Sequence, residues 1–551
     1  MSRGVFRPRD PTGYDWPVSQ FSFADLVDFG PDSAYERLEL PAPERLLAEA
    51  EGGPALWLDE SVLTSLASRA FEDIAFLMPS EQLELLAAIA ADETASEAER
   101  FVAAQLIQNA AVAAEGILPI CQDTGTAVVY GWKGSRVLGS GADEAALAAG
   151  AEAAYRKKRL RNSQLGAQTF LSERNTGDNL PALIDIRAAR GAEYRLCFAA
   201  KGGGSANRTS LTMESPALLD EKALAAKLEE RIAALGPGGC PPYHLSAVLG
   251  GSSPDQTLYA LTLANLGLLD GLDSLGRAGG ALRDRVWEER LLALARATGV
   301  GAQFGGRHLA IAARAVRLPR HAASLPLALG ISCSAHRKAR ALIRADGVFL
   351  ERLERDPARF LPERLPGLPH ARSIDLDKPV ALLAAELGDL DAGSFLLLSG
   401  TVVTARDAAH ARFRAAIRSG RALPEYLLKH PLFYAGPTEA APGQASGSFG
   451  PTTAGRMDDY LDELMERGAS LVTIAKGSRS RAAAEAIARH RGAYIACIGG
   501  AAALAARAHI VSSEVVDHAD LGMESVRLVR LRELPAMLAI DSTGRDFYSA
   551  R

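Results

Sequence analysis

ERLERDPARFLPERLPGLPHAR, residues 351–372, breaks the periodic patterning of the chain, with prolines at 357, 362, 366 and 369 and charged residues between them. Proline fixes φ, removes a donor and pushes the residue before it out of the helical region, so neither a helix nor a central strand runs through. The stretch reads as a domain junction. It divides the chain into a larger part, residues 1–360, and a smaller part, residues 361–551.

Upstream, apolar residues recur at helical spacing in SVLTSLASRAFEDIAFLM (61–78), PSEQLELLAAIAAD (79–92) and SEAERFVAAQLIQNAAVAAEG (96–116). Ser80 and Ser96 are placed as N-caps and Gly116 as a stop. Further helices are expected at 142–159, 220–235, 255–269 and 283–299, with strand-like runs at ICQDTGTAVVYG (120–131), LIDIRAA (183–189), YRLCFAA (194–200) and LSAVLGG (245–251). Downstream, strand and helix alternate: FLLLSGTVVTA (395–405), RDAAHARFRAAIRSG (406–420), SLVTIAKG (470–477) and SRAAAEAIARHRGAYIACIGG (480–500). The fold class is α/β: a larger N-terminal mixed α/β domain followed by a smaller C-terminal α/β domain.

The 551 residues are 48% hydrophobic and 23% charged, the balance of a chain that folds throughout. A net charge of −5 offers no footprint for a phosphate backbone or anionic lipid, so neither nucleic acid nor membrane is expected as a partner. The first 25 residues carry arginines and no unbroken apolar core, and no later run suits a membrane span, which makes a cytoplasmic location the expectation. Five cysteines at wide, irregular spacing suit a reducing compartment better than a disulfide framework.

Three cysteines sit beside turn-forming or polar residues: Cys121 in LPICQDTGT, Cys240 in GPGGCPPYH and Cys333 in GISCSAHR. Loop-borne thiolates flanked by backbone N–H groups are what an iron–sulfur cluster requires. Their separation also fits buried structural thiols, so spacing alone leaves both readings open. Cys197 and Cys497 fall within strand alternation and read as core thiols. A cluster takes four cysteines as a rule, so three would leave one iron open as a Lewis acid for a hydroxyl and a carboxylate, which points to dehydration of a 2-hydroxy acid. AAKGGGSANRTS (199–210) and GPTTAGRMDDYLDELMERG (450–468) offer glycine-lined backbone to an anion, although either could be a structural turn. GVGAQFGG (299–306) has the wrong spacing for a dinucleotide fingerprint, and AAKGGGSAN lacks the phosphate-loop spacing.

ICQDTGT, NTGDNLPA, AKGGGSAN, CPPYH, GAQFGG, RLPRHAAS, SCSAHR, LSGTVVTARDAAH, YAGP, GSFGPTTAGRMD, TIAKGS and IGG occur here in the order seen in class I fumarases, which the chain resembles from about residue 60 to its C-terminus. The resemblance implies that Cys121, Cys240 and Cys333 hold a [4Fe-4S] cluster whose open iron meets substrate. It implies a homodimer, with the site in the cleft between the two domains, and reversible hydration of fumarate to (S)-malate. Residues matching Arg161, Arg406, Arg456 and Lys476 bind the carboxylates in that family, where bidentate guanidinium contact fixes a dicarboxylate. Gln122 and the backbone N–H of Gly204 match further substrate contacts. Thr452, Asp123 and His321 match residues of the proton chemistry, Thr452 as the base and Asp123 serving the departing hydroxyl, while His321 has an alternative as a packed or capping side chain. The chain departs from the common pattern at Asn162, His336, Ser478 and Ala501. Those departures bear on substrate choice, since relatives with the same cluster dehydrate tartrate or hydrate mesaconate. A non-catalytic iron–sulfur sensor would not need the cationic set, which favours an enzyme.

Overall fold

A computed structural model describes residues 22–46, 54–277 and 279–549. The first 25 residues, read above as lacking an unbroken apolar core, lie almost wholly outside the described residues. Within them, no helix is long and apolar enough to cross a membrane.

The helical expectations correspond to Glu60–Phe76, Ser80–Ala91, Glu97–Ala114, Asp143–Lys157, Glu221–Leu235, Pro254–Asn265 and Arg285–Ala297. Ser96 caps its helix in a reciprocal capping box with Glu99. Ser80 does not cap: Pro79 precedes the helix, and the Ser80 hydroxyl instead donates to Glu354 Oε2 at 3.1 Å. Gly116 follows the third helix with φ +78°, as a helix stop should.

Up to residue 351 the strands build two large sheets, beside a small three-stranded and a two-stranded one. One carries Thr126–Gly134 between Leu183–Ala189 and Tyr194–Lys201, the latter continuing to Lys338–Arg344 and Gly347–Glu351. Cys197 is fully buried within it, against the apolar cluster that includes Trp132 and Val128. The other places Tyr243–Gly251 at its centre, parallel to Ala310–Arg320 and antiparallel to Leu325–Ser332.

The Pro-rich stretch lies between Glu351, the last residue of the first sheet, and Arg372, the first of a third sheet built entirely from downstream residues. Phe395–Thr404, Leu432–Phe433, Val472–Ala475 and Ala493–Cys497 pair in parallel order, except that Ala493–Cys497 and Phe395–Thr404 each also pair with the antiparallel Val526–Ile540. The five strands thereby close on themselves, which leaves no open edge among them. Cys497 is buried in this core. The architecture is mixed α/β in two parts, as the sequence implies.

Candidate active site

The loop Cys121–Gly125 leads into the strand Thr126–Gly134 and is held from below. Tyr155 donates to the carbonyls of Thr124 (3.0 Å) and Gly125 (2.8 Å), Asn179 Nδ2 donates to the Gly125 carbonyl (3.1 Å), and Asn179 Oδ1 accepts from the Ser163 N–H (2.8 Å). Thr124 Oγ1 meets both the N–H and the carbonyl of Arg161 at 2.9 Å. Three motifs distant in sequence are thus tied into one wall. Gln122 faces Gly450 so closely that an alanine Cβ there would lie 2.1 Å from Gln122 Oε1, and Gln122 Nε2 donates to the Pro451 carbonyl at 3.2 Å.

A second knot joins Cys240 to both halves of the chain. Gln303 donates to the carbonyls of Pro241 and Gly499, both at 2.9 Å, and accepts from the Gly499 N–H at 2.6 Å. Asn109 donates to the carbonyls of Ile120 (3.0 Å) and Gly500 (3.1 Å) and accepts from the Leu504 N–H (3.0 Å). Gly499 must be glycine, because a Cβ would stand 2.4 Å from Cys240 Sγ. Ser334 N–H donates to the Cys240 carbonyl at 3.1 Å and so sets Cys333 beside Cys240.

The first of these knots borders a cavity of about 1220 Å³ lined from both parts of the chain. Its walls carry Gln122, Asp123, Arg161, Gly204, Arg406, Thr452, Arg456 and Lys476. His321 is elsewhere: it is exposed in the turn between Ala310–Arg320 and Leu325–Ser332, where its Nδ1 accepts from the Ala323 N–H at 3.2 Å. Sequence reasoning missed Asp407, Asp520 and Glu524 on the same walls. Asp407 follows Arg406 directly and pairs with Arg456 at 2.6 Å, while Glu524 meets both Arg161 and Arg406. Asp407 could have been found, since it opens the helix Asp407–Arg418 where an acid is favoured. Glu524 sits in no motif.

Charge at the inner end is unevenly balanced. Burial pulls the Lys476 ammonium down, but the thiols of Cys240 and Cys121 outweigh it and hold it above its ordinary value. Its Nζ lies 2.8 Å from Cys240 Sγ. The buried Arg337 guanidinium is likewise held up, against its burial, by Cys121, Cys333 and Asp123. Burial alone would raise Asp123, yet Arg161, Arg337, the Gly203 N–H and Lys476 keep its carboxyl below the usual range, hence ionised at neutral pH. Gly203 N–H donates to Asp123 Oδ2 at 2.8 Å. Burial pushes the Cys121 thiol up to about 11 and raises Cys240 as well.

Two buried cations, Lys476 and Arg337, thus stand within electrostatic reach of three thiols and one carboxylate, with Arg337 Nε and Ser334 Oγ lacking hydrogen-bond partners among the described residues. An anionic group bound through thiolates would satisfy this surplus, which is the donor chemistry an iron–sulfur cluster needs. Among the described residues no three His, Cys, Asp or Glu side chains gather tightly enough for one metal ion. A cluster takes one thiolate at each of several irons, so its ligands stand farther apart.

His336, one of the departures noted in the sequence, does not line the cavity. It stacks on His244 at 4.2 Å and meets Ser332 Oγ through Nδ1 at 2.7 Å, and burial with nearby cations drives both rings toward the neutral form.

Residues 64–342 match the family model for fumarate hydratase, and residues 347–551 match that for the fumarase C-terminus. The aerobic class I fumarate hydratase of Escherichia coli strain K12 is 43% identical over 505 residues, covering 91% of this chain and 92% of that protein. Fumarate hydratase 2 of Leishmania major is 42% identical over 520 residues, 93% of this chain and 91% of that protein. The beta subunit of the E. coli L(+)-tartrate dehydratase is 31% identical over 167 residues, 30% of this chain and 81% of that subunit.

Proposed function

This chain belongs to the class I fumarate hydratase family, and from that premise we propose that it catalyses the reversible hydration of fumarate to (S)-malate in the cavity between its two parts. The observation that carries the reading is a single cavity lined by Arg161, Arg406 and Arg456 together with Asp123, Thr452 and Lys476. A C4 dicarboxylate needs cations placed for both of its ends and proton-handling groups near its middle bond. The cavity offers both.

Cys121, Cys240 and Cys333 would hold a [4Fe-4S] cluster, against the Lys476 and Arg337 cations. When bound, the cluster supplies Lewis acidity from an iron with no cysteine ligand. The side chains account for the rest. Arg161 and Arg406 seize one carboxylate and Arg456 the other, which fixes the double bond across the cavity. Asp123, kept ionised, accepts a hydrogen bond from the hydroxyl that joins or leaves C2. In the dehydration direction Thr452 takes the proton beside the carboxylate, and in hydration it returns it. Its backbone is clamped by the Tyr434 carbonyl at 2.6 Å and the Lys476 N–H at 3.1 Å, so its hydroxyl is held on a fixed path. The charge that builds up on the carboxylate as the C–H bond opens is stabilised by the neighbouring guanidiniums. Gln122 and the Gly204 N–H complete the substrate contacts.

His321 lies outside its own cavity, so a role for it would have to be exerted on the cavity of a second copy, in the homodimer that belongs to this proposal. A cytoplasmic location and a boundary near residue 360 belong to it as well. The partial match to a tartrate dehydratase subunit favours one second reading, a related dicarboxylate hydro-lyase acting on tartrate or mesaconate. Steady-state kinetics of anaerobically reconstituted protein on fumarate, tartrate and mesaconate decide between them. A kcat/KM for fumarate at least about 10-fold above the others is expected, since one added methyl or hydroxyl shifts binding by about 1–3 kcal/mol; the reverse order would replace fumarate as the substrate.

A further inference from the structure

Glu524 ends the short segment Ala519–Glu524, which lines the cavity just before the strand Val526–Ile540. One carboxylate oxygen, Oε1, lies 3.3 Å from Arg161 Nη2 and 3.2 Å from Arg406 Nη2. Both arginine side chains are deeply buried, whereas Glu524 is 27% exposed.

This contact is poorer than the arginines could accept. A carboxylate that grips guanidinium well uses both oxygens in parallel bonds, while Glu524 bridges two guanidiniums with one. Arg406 Nε and Nη1 are buried without a hydrogen-bond partner among the described residues. Burial and the neighbouring Arg161 pull Arg406 down to about 10, and Glu524 only partly offsets them. Arg406 is thus under-satisfied and open to a better anion.

The segment is also irregular in its backbone. It begins after His518, whose φ is +51°, and turns at Gly522 with φ +58° and non-helical backbone. Toward its start it is tethered, by Asp520 to Arg412 and by the preceding Asp517 to the Tyr426 hydroxyl at 2.7 Å. At its far end the Glu524 carboxylate is held by Arg161 and Arg406.

We propose that Glu524 is an internal stand-in for a substrate carboxylate: it closes the Arg161–Arg406 pair between turnovers, is displaced by the incoming dicarboxylate, and so sets the threshold that weaker anions fail to pass. This rests on the reading of Arg161 and Arg406 as carboxylate-binding. The competing pair reduces apparent affinity by the fraction of molecules in which the clamp is open. Glu524 is not a catalytic residue; it acts through the two arginines.

The test uses reconstituted holoenzyme carrying Glu524→Gln, with Arg406→Gln as the reference variant, reading KM for fumarate and the inhibition constants of succinate and inorganic phosphate. Removing the charge should lower all three constants together by about 3- to 10-fold, the range expected of a loosely held, partly exposed ion pair. Arg406→Gln should raise all three. If Arg406→Gln raises them but Glu524→Gln leaves them unchanged or higher, the stand-in role is overturned while the clamp survives. If Arg406→Gln changes none of them, the clamp reading fails and takes this proposal with it.

Discussion

Replacing Gln303 by Ala should destabilise the protein strongly for a single change of a neutral side chain. Gln303 is 3% exposed and makes three hydrogen bonds, two to the Gly499 backbone and one to the Pro241 carbonyl. Truncation leaves one N–H and two carbonyls buried without partners, each costing about 1–3 kcal/mol when unsatisfied. Partial relaxation and entry of water make about 3–5 kcal/mol the expected sum, a large share of a typical stability of about 5–15 kcal/mol. The left-handed backbone at Gln303, φ +81°, adds no relief, because alanine tolerates it no better. Denaturant unfolding of the metal-free protein, followed by far-UV signal, would show a midpoint shift for Gln303→Ala. Gln303→Glu keeps the acceptor for Gly499 but loses both donations and buries a charge, so it should be at least as damaging. Gly499 stands against Cys240 Sγ, so iron content after reconstitution should fall in parallel. A loss below about 1 kcal/mol in Gln303→Ala would show that water or local repacking satisfies these groups and that the knot does not hold Cys240 in place.

Thr452→Ala should lower kcat about 100-fold or more with little change in KM and intact iron content, because a general base acts mainly in the transition state; near-normal kcat would pass the role to Asp123. Serine at Cys121, Cys240 or Cys333 should abolish both iron binding and activity, whereas Cys197→Ser and Cys497→Ser, in buried strands, should retain them; iron analysis of the five variants checks the ranking. Glu99 is held down to about 2, because bonds from His308 and from the Arg307 and His308 N–H groups outweigh its burial. A carboxyl lowered on folding stabilises above its unfolded value and loses that contribution as pH falls from about 4.5 through about 2, here about 2–3 kcal/mol. Glu99→Gln should flatten that acid limb in pH-dependent denaturation, and an unchanged limb would contradict the assignment.

Helix positions were legible because their apolar spacing and caps are local, and the capping box at Ser96 and Glu99 is a purely local signal. Ser80 failed as a cap for a tertiary reason, its hydroxyl being drawn to Glu354 across the fold. The strands Ala310–Arg320 and Lys338–Arg344 were not legible, because buried Arg314 and Lys338 break the apolar pattern. Arg314 is paid for by Asp270, whose two oxygens lie 2.7 Å from its Nε and Nη2, a pairing 44 residues distant in sequence. The closing strand Val526–Ile540 begins with alternating charges and ends fully buried, so neither strand template fits it throughout. Most candidate site residues converge on one cavity because each lies in a short motif with its own backbone requirement. Glu524 was invisible as a partner, since its ion pairs with Arg161 and Arg406, far off in sequence, leave no trace in local spacing. His321 shows the reverse: a motif residue whose own chain does not bring it to the cavity.

The most direct test follows fumarate and malate in anaerobically reconstituted protein, with iron content and visible absorbance measured on the same sample before and after exposure to air. Brown protein that interconverts fumarate and malate, and that loses absorbance and activity together in air, is the expected result. Colourless protein with full, air-stable hydratase activity would contradict a cluster held by Cys121, Cys240 and Cys333.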